Sequence, residues 1–130
     1  VILHGDYRLG NMLVMGREIR ALIDWEIWSL GDPRLDLAWF LLSIDSAHPS
    51  CASRHGRIPS TDRLVAAYET AAGYPVEGLA WFGALVRYKQ AAAAALIVKH
   101  SRRRAIESPE VVRAEALIPK LLDWACEFLG

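Results

Sequence analysis

The sequence predicts an α+β chain, mostly helical, in which a β-hairpin near the N-terminus precedes a series of helices. Three observations predict it. Two apolar, partly β-branched runs, 12–15 and 19–23, are separated by Gly16-Arg17-Glu18, a short connection of hairpin type. From Pro33 onward, apolar residues recur at helical spacing. Cap residues punctuate the same region, with Asp32 before Pro33, Ser60 or Thr61, Gly73, and Ser108 before Pro109. At 53% hydrophobic and 23% charged, the chain can fill a core and does not have the composition of a disordered one.

Taken in order, residues 1–3 read as the end of a short buried strand leading into a loop. The hairpin follows, and its two ends bring Asn11 and Asp24 close together. Asp32 then caps a helix that places Leu35, Leu37, Ala38, Leu41 and Leu42 on an apolar face and runs to about Ile44. Residues 45–60 are polar and read as a loop. A helix capped by Ser60 or Thr61 runs to Gly73, a plausible left-handed terminator. Residues 77–104 form one long helix, with Trp81, Leu85 and Tyr88 near helical spacing and alanines at 91–95 that suit close packing. A last helix opens at Ser108-Pro109-Glu110 and reaches Leu129, interrupted or kinked near Pro119. There is no internal repeat. By motif, residues 1–44 carry the chemistry, and residues 45–130 form a helical subdomain.

The chemistry lies in His4-Gly5-Asp6-Tyr7-Arg8-Leu9-Gly10-Asn11 and Ile23-Asp24-Trp25-Glu26. An Asp, an Asn five residues later and a second Asp thirteen after that can hold a reacting hydroxyl and the metal ions of a nucleoside triphosphate. The order is that of a kinase catalytic loop followed by a metal-binding Asp, with Gly5 in the place of an Arg and Asp-Trp-Glu in the place of Asp-Phe-Gly. Phosphoryl transfer asks mainly for positioning and charge neutralisation. Asp6 is the candidate catalytic base, orienting the attacking hydroxyl and accepting its proton. Asn11 and Asp24 offer hard oxygens to Mg2+. Each element alone is compatible with a turn or a helix cap; the order and spacing together are not easily met by chance.

These residues, with Leu30-Gly31-Asp32-Pro33-Arg34-Leu35-Asp36-Leu37-Ala38-Trp39, resemble the aminoglycoside-phosphotransferase/choline-kinase superfamily, small-molecule kinases with a protein-kinase-like fold. The resemblance is strongest to its bacterial phosphotransferase-family proteins and to the kinase-like domain fused to some acyl-CoA dehydrogenases. It covers residues 1 to about 44. It implies a kinase-like C-terminal lobe whose hairpin carries the catalytic and metal-binding loops. It further implies Asp6 as base, Asn11 and Asp24 as magnesium ligands, and ATP as co-substrate. Asp36 would brace the catalytic loop and His4 would support it. The phosphate-covering loop, ATP lysine and hinge of the N-terminal lobe cannot be assigned: the basic residues before Asp24 are Arg8, Arg17 and Arg20, with no lysine. With Val1 rather than Met at the start and the motif at residue 4, the expectation is that a larger N-terminal portion is missing and that this chain alone is inactive. A non-catalytic kinase-like binding module is the alternative.

Arg8 is a candidate phosphate or substrate contact, with a loop-stabilising role equally open. Glu26 could touch a magnesium-bound water or serve at the surface. Trp25, Trp28 and Trp39 are expected to pack beneath the loop rather than stack on substrate. His48, Cys51 and His55 match no zinc pattern. The run 102–104 of arginines suits a helix C-terminus. Fifteen basic and fifteen acidic residues cancel, which leaves no global field for nucleic acid or an anionic membrane. Cys51 and Cys126 form no framework and fit a reducing cytoplasm. The longest apolar run, 91–98, is too short to span a bilayer. In the loop 45–60, Asp45 faces Arg54, Arg57 and two histidines. That balance disfavours a polycationic aminoglycoside and suits an anionic or neutral hydroxylated acceptor such as a hydroxyacyl-CoA-like compound. Exposed apolar surface on a half-fold would favour a homodimer.

Overall fold

The computed structural model describes residues 1–48, 58–105 and 107–130. Its elements are β1 (Ile2–Leu3), β2 (Met12–Met15), β3 (Glu18–Leu22), β4 (Ser29–Leu30), α1 (Arg34–Ile44), α2 (Thr61–Ala72), α3 (Leu79–Arg103) and α4 (Pro109–Leu129). The chain divides into two compact units, Val1–Leu79 and Ala80–Gly130.

In the first unit the hairpin forms where two apolar runs flank a glycine. Gly16 takes φ +63, the left-handed conformation a tight turn requires. Met15 pairs with Glu18 and Met12 with Leu22, and a shift at Leu13/Val14 leaves Arg20 as the extra residue of a bulge. The hairpin is apolar yet exposed: Leu13, Val14, Met15 and Ile19 all lie open to solvent. The predicted strand 1–3 pairs antiparallel with β4, a partner the sequence reading did not anticipate. It is buried only at Leu3; Val1 and Ile2 are exposed. Gly31 lets this pair close, because a Cβ there would meet Leu3 Cδ1 at 2.8 Å.

Helix α1 starts one residue after Pro33. Asp32 Oδ1 accepts from Arg34 N at 3.0 Å, satisfying one of the first-turn donors. Leu37, Ala38, Leu42 and Ile44 are its buried residues, and with Leu3 they form the apolar core of this unit. Ser60 caps α2 by accepting from Arg63 N at 3.4 Å, and Gly73 ends it at φ +80, both as the sequence predicts.

The second unit is an antiparallel helix pair. Gly83, Arg87, Ala91, Ala94, Val98 and Ser101 form a buried stripe along α3 at intervals of three and four. Leu121, fully buried, and Ala125 are the buried residues of α4. Arg102 pairs with Glu115 near one end of the pair. Near the other, the Arg87 guanidinium lies 4.0 Å over the Phe128 ring. Trp81, Leu85 and Tyr88, the predicted face of α3, line an apolar cavity of about 340 Å³ with Leu122 and Ala125. Helix α4 runs through Pro119 without the predicted interruption. Among the described residues, no helix is long and apolar enough to cross a membrane.

Candidate active site

Strand β1 ends on His4, and the chain then turns sharply. Gly5 has φ +86, and a Cβ there would lie 2.5 Å from the Ile27 carbonyl oxygen. Both the dihedral and the close approach demand glycine. The turn is held from α1: Asp36 Oδ2 accepts from His4 N at 2.6 Å and Asp36 Oδ1 accepts from Gly5 N at 3.0 Å. One carboxylate thus satisfies two consecutive loop N–H groups.

His4 is buried and works within the loop. Its Nε2 lies 2.9 Å from the Ile23 carbonyl oxygen, and its Nδ1 lies 3.3 Å from Asp6 N. A carbonyl can only accept and a backbone N–H can only donate, so Nε2 carries the proton and Nδ1 accepts. The ring also sits 4.5 Å from that of Trp25.

Asp6 is the centre of the network. Its Oδ1 accepts from Trp39 Nε1 at 2.8 Å. Its Oδ2 accepts from Arg8 Nε and from Asn11 Nδ2, each at 2.9 Å. Burial pushes this carboxyl up, but the hydrogen bonds from Arg8, Trp39 and Asn11, together with the Arg8 charge, outweigh it and hold it below the ordinary carboxylate value. A carboxylate has about four acceptor positions, so three donors leave one for a further hydroxyl. The Asp6 side chain is 21% exposed, enough for one to arrive.

Asn11 reaches the site on the short 3-10 turn Leu9–Asn11 and is buried. Its Nδ2 donates to both the backbone and side-chain oxygens of Asp6. That fixes the amide orientation and leaves Oδ1 for another partner, such as a hard cation. Arg8 packs over Gly10, where a Cβ would meet its Nη1 at 2.8 Å.

The hairpin returns the chain beside Asn11, whose carbonyl oxygen accepts from Ile23 N at 3.0 Å. Asp24 follows directly. It takes φ +67, a left-handed conformation that Asp tolerates better than most residues but that still costs of the order of 1 kcal/mol. Its carboxylate is exposed and makes no hydrogen bond or ion pair among the described residues. The sequence-predicted residues His4, Asp6, Arg8, Asn11 and Asp36 therefore form one bonded network. Asp24 joins it through the backbone of Ile23, and Glu26 is exposed and outside it. Among the described residues no group of three or more His, Cys, Asp or Glu is placed to hold a metal. Asn11 and Asp24 both carry hard oxygens, the ligand type that magnesium takes when phosphate oxygens and water complete its shell.

Two contacts escaped the sequence reading. Trp39, expected only to pack, donates to Asp6, and Phe40 lies 5.7 Å from the Tyr7 ring. Asp36, Trp39 and Phe40 stand at i, i+3 and i+4, a spacing that signals a shared face of α1 but not the hydrogen bond to Asp6. Arg34 fixes the start of that helix. It donates to Asp32 through Nε at 2.9 Å and Nη2 at 2.7 Å, and to the Glu77 carbonyl through Nη1 at 2.7 Å. The Arg34 hydrogen bonds lower the Asp32 carboxyl to about 2. Of the proposed acceptor loop, Cys51, Arg54, His55 and Arg57 lie outside the described residues; His48 is buried.

The model of a phosphotransferase enzyme family matches residues 1–85. Human acyl-CoA dehydrogenase family member 11 is 33% identical over 75 residues, covering 52% of this chain and 10% of that protein. Mouse acyl-CoA dehydrogenase family member 10 is 41% identical over 44 residues, 32% of this chain and 4% of that protein. The chain thus spans a tenth or less of the length of these relatives. A crystal structure from Ralstonia eutropha, described as an aminoglycoside phosphotransferase, superposes with a TM-score of 0.79 at 23% identity, covering 98% of this chain and 41% of that one. The shared feature there is the kinase-like fold.

Proposed function

The chain belongs to the phosphotransferase enzyme family, and from that premise we propose that it carries the catalytic and metal-binding residues for ATP- and Mg2+-dependent transfer of a γ-phosphate to a hydroxyl of a small molecule. The observation that carries this reading is the Asp6 carboxylate. Three donors hold it in place, and one acceptor position remains. In the transfer, Asp6 orients the acceptor hydroxyl and receives its proton. The acceptor oxygen bonds to the γ-phosphorus, and the bond to the bridging oxygen of ADP breaks. Asn11 Oδ1 and the Asp24 carboxylate are the residues that would hold magnesium, which supplies neutralisation of phosphate charge when bound. Asp36 and His4 keep the loop in shape, and Arg8 is a further cation for phosphate.

On this reading the chain is the C-terminal lobe of a cytoplasmic kinase-like protein, with a helical part that lines the acceptor site. The 41% share of the similar structure that it covers and the exposed apolar side chains of the hairpin support a lobe rather than a whole kinase-like fold. The acceptor is an anionic or neutral hydroxylated compound, argued from the charges of residues 45–60. The test is phosphate transfer from ATP by the intact protein over a panel containing aminoglycosides and hydroxyacyl-CoA compounds, with magnesium titrated. Asp24→Asn is expected to raise the magnesium requirement and cut turnover at least tenfold, the scale of a lost charged ligand. Transfer to aminoglycosides only would overturn the acceptor class; magnesium-independent transfer would overturn the roles of Asn11 and Asp24.

A further inference from the structure

We propose that Trp39 is a positioning residue for this transfer, its indole N–H fixing the Asp6 carboxylate through Oδ1. The inference rests on Asp6 being the residue that receives the acceptor proton. Its basis is the 2.8 Å contact from Trp39 Nε1 to Asp6 Oδ1 and the place of Trp39 on α1. The two groups that hold Oδ2 differ in kind. Arg8 is a long side chain, 43% exposed and cationic, and the arriving phosphates compete for it. Asn11 is shared with the metal role. Trp39 has neither conflict. It is neutral, it offers a single donor, and it stands on a regular helix whose Asp36, three residues earlier, already holds the loop backbone at His4 N and Gly5 N. Helix α1 therefore controls both the backbone of the catalytic turn and the rotation of the carboxylate. With Oδ1 committed to the indole and Oδ2 to Arg8 and Asn11, the carboxylate cannot rotate without breaking bonds on both oxygens. A neutral donor does this without adding a second positive charge beside a group that must accept a proton.

The experiment uses the intact protein and removes the N–H while keeping the ring. Trp39 is replaced by 3-benzothienylalanine, which has sulfur in place of the indole nitrogen, and in parallel by Phe (Trp39→Phe). The expected result is a fall in kcat of about tenfold, the scale of one hydrogen bond to a charged group, with KM for ATP and the thermal midpoint of the benzothienyl variant unchanged. Where Trp39→Phe fails to fold, the benzothienyl variant decides. Wild-type kcat in that variant would overturn the role of Trp39 and leave the kinase reading intact. A rise in KM for ATP matching the loss in kcat would assign Trp39 to general packing and overturn it too. No transfer by the wild type to any acceptor would overturn the kinase reading itself, and the role of Trp39 with it.

Discussion

Asp36 and Gly5 shape the turn that carries Asp6. Asp36 accepts from two successive backbone N–H groups, and Asn in its place can accept only one while turning an amide N–H2 toward the other. Asp36→Asn should therefore cost about 2 kcal/mol and speed hydrogen exchange at His4 and Gly5, read by mass spectrometry at amide resolution. Unchanged exchange at those amides would remove Asp36 from the bracing role. Gly5→Ala meets two penalties, the left-handed dihedral and a Cβ 2.5 Å from the Ile27 carbonyl. A loss of at least about 1 kcal/mol is expected in urea denaturation, with turnover falling more than stability alone explains. Asp32 gives the pH dependence. Its folded carboxyl lies near 2, below the ordinary value of 3.8, so its contribution to stability is complete above the ordinary value and is lost as pH falls towards 2. Asp32→Asn should thus be less stable than wild type near neutrality and show a shallower acid limb between those values in thermal melts. These roles were unevenly legible in sequence. The motif spacing pointed to Asp6, Asn11 and Asp24. The Trp39 hydrogen bond was not readable, because an indole near a loop packs far more often than it donates to one particular oxygen.

At the scale of elements, the caps were the clearest text. Ser60, Gly73 and Ser108 mark helix ends by local hydrogen bonding and local dihedral preference, which require no knowledge of the rest of the fold. The hairpin was equally readable, since two apolar runs around a glycine leave few alternatives. The pairing of β1 with β4 was not, because two-residue strands carry no periodicity and their partners are set by the loop between them. Pro119 was expected to interrupt or kink α4. The helix is not interrupted there, and it contributes Leu121, fully buried, whose packing offsets the cost of a missing N–H. Leu121→Ala should accordingly destabilise the helix pair by about 2–5 kcal/mol in chemical denaturation, at the upper end because the site is fully enclosed. A loss below 1 kcal/mol would mean that the pair is not held by this stripe.

For the molecule as a whole, the matched family region ends at residue 85, close to the division between the two compact units at Leu79 and Ala80. The hydrogen-bonded network of His4, Asp6, Asn11, Asp36 and Trp39 lies wholly within the first unit. Fifteen residues of each sign leave this chain without a long-range field of its own. The acceptor class was the least legible property, because it was read from the charges of residues 45–60 alone, and charge composition does not specify direction. The proposed role of Asp6 as the base of a phosphate transfer is tested by comparing wild type with Asp6→Asn in the intact protein. Magnesium-dependent transfer from ATP to a hydroxylated acceptor should be measurable in the wild type and fall by a factor of at least about a hundred in the variant, with the fold retained by circular dichroism. Equal turnover in the two proteins, or no transfer by either to any acceptor, would contradict it.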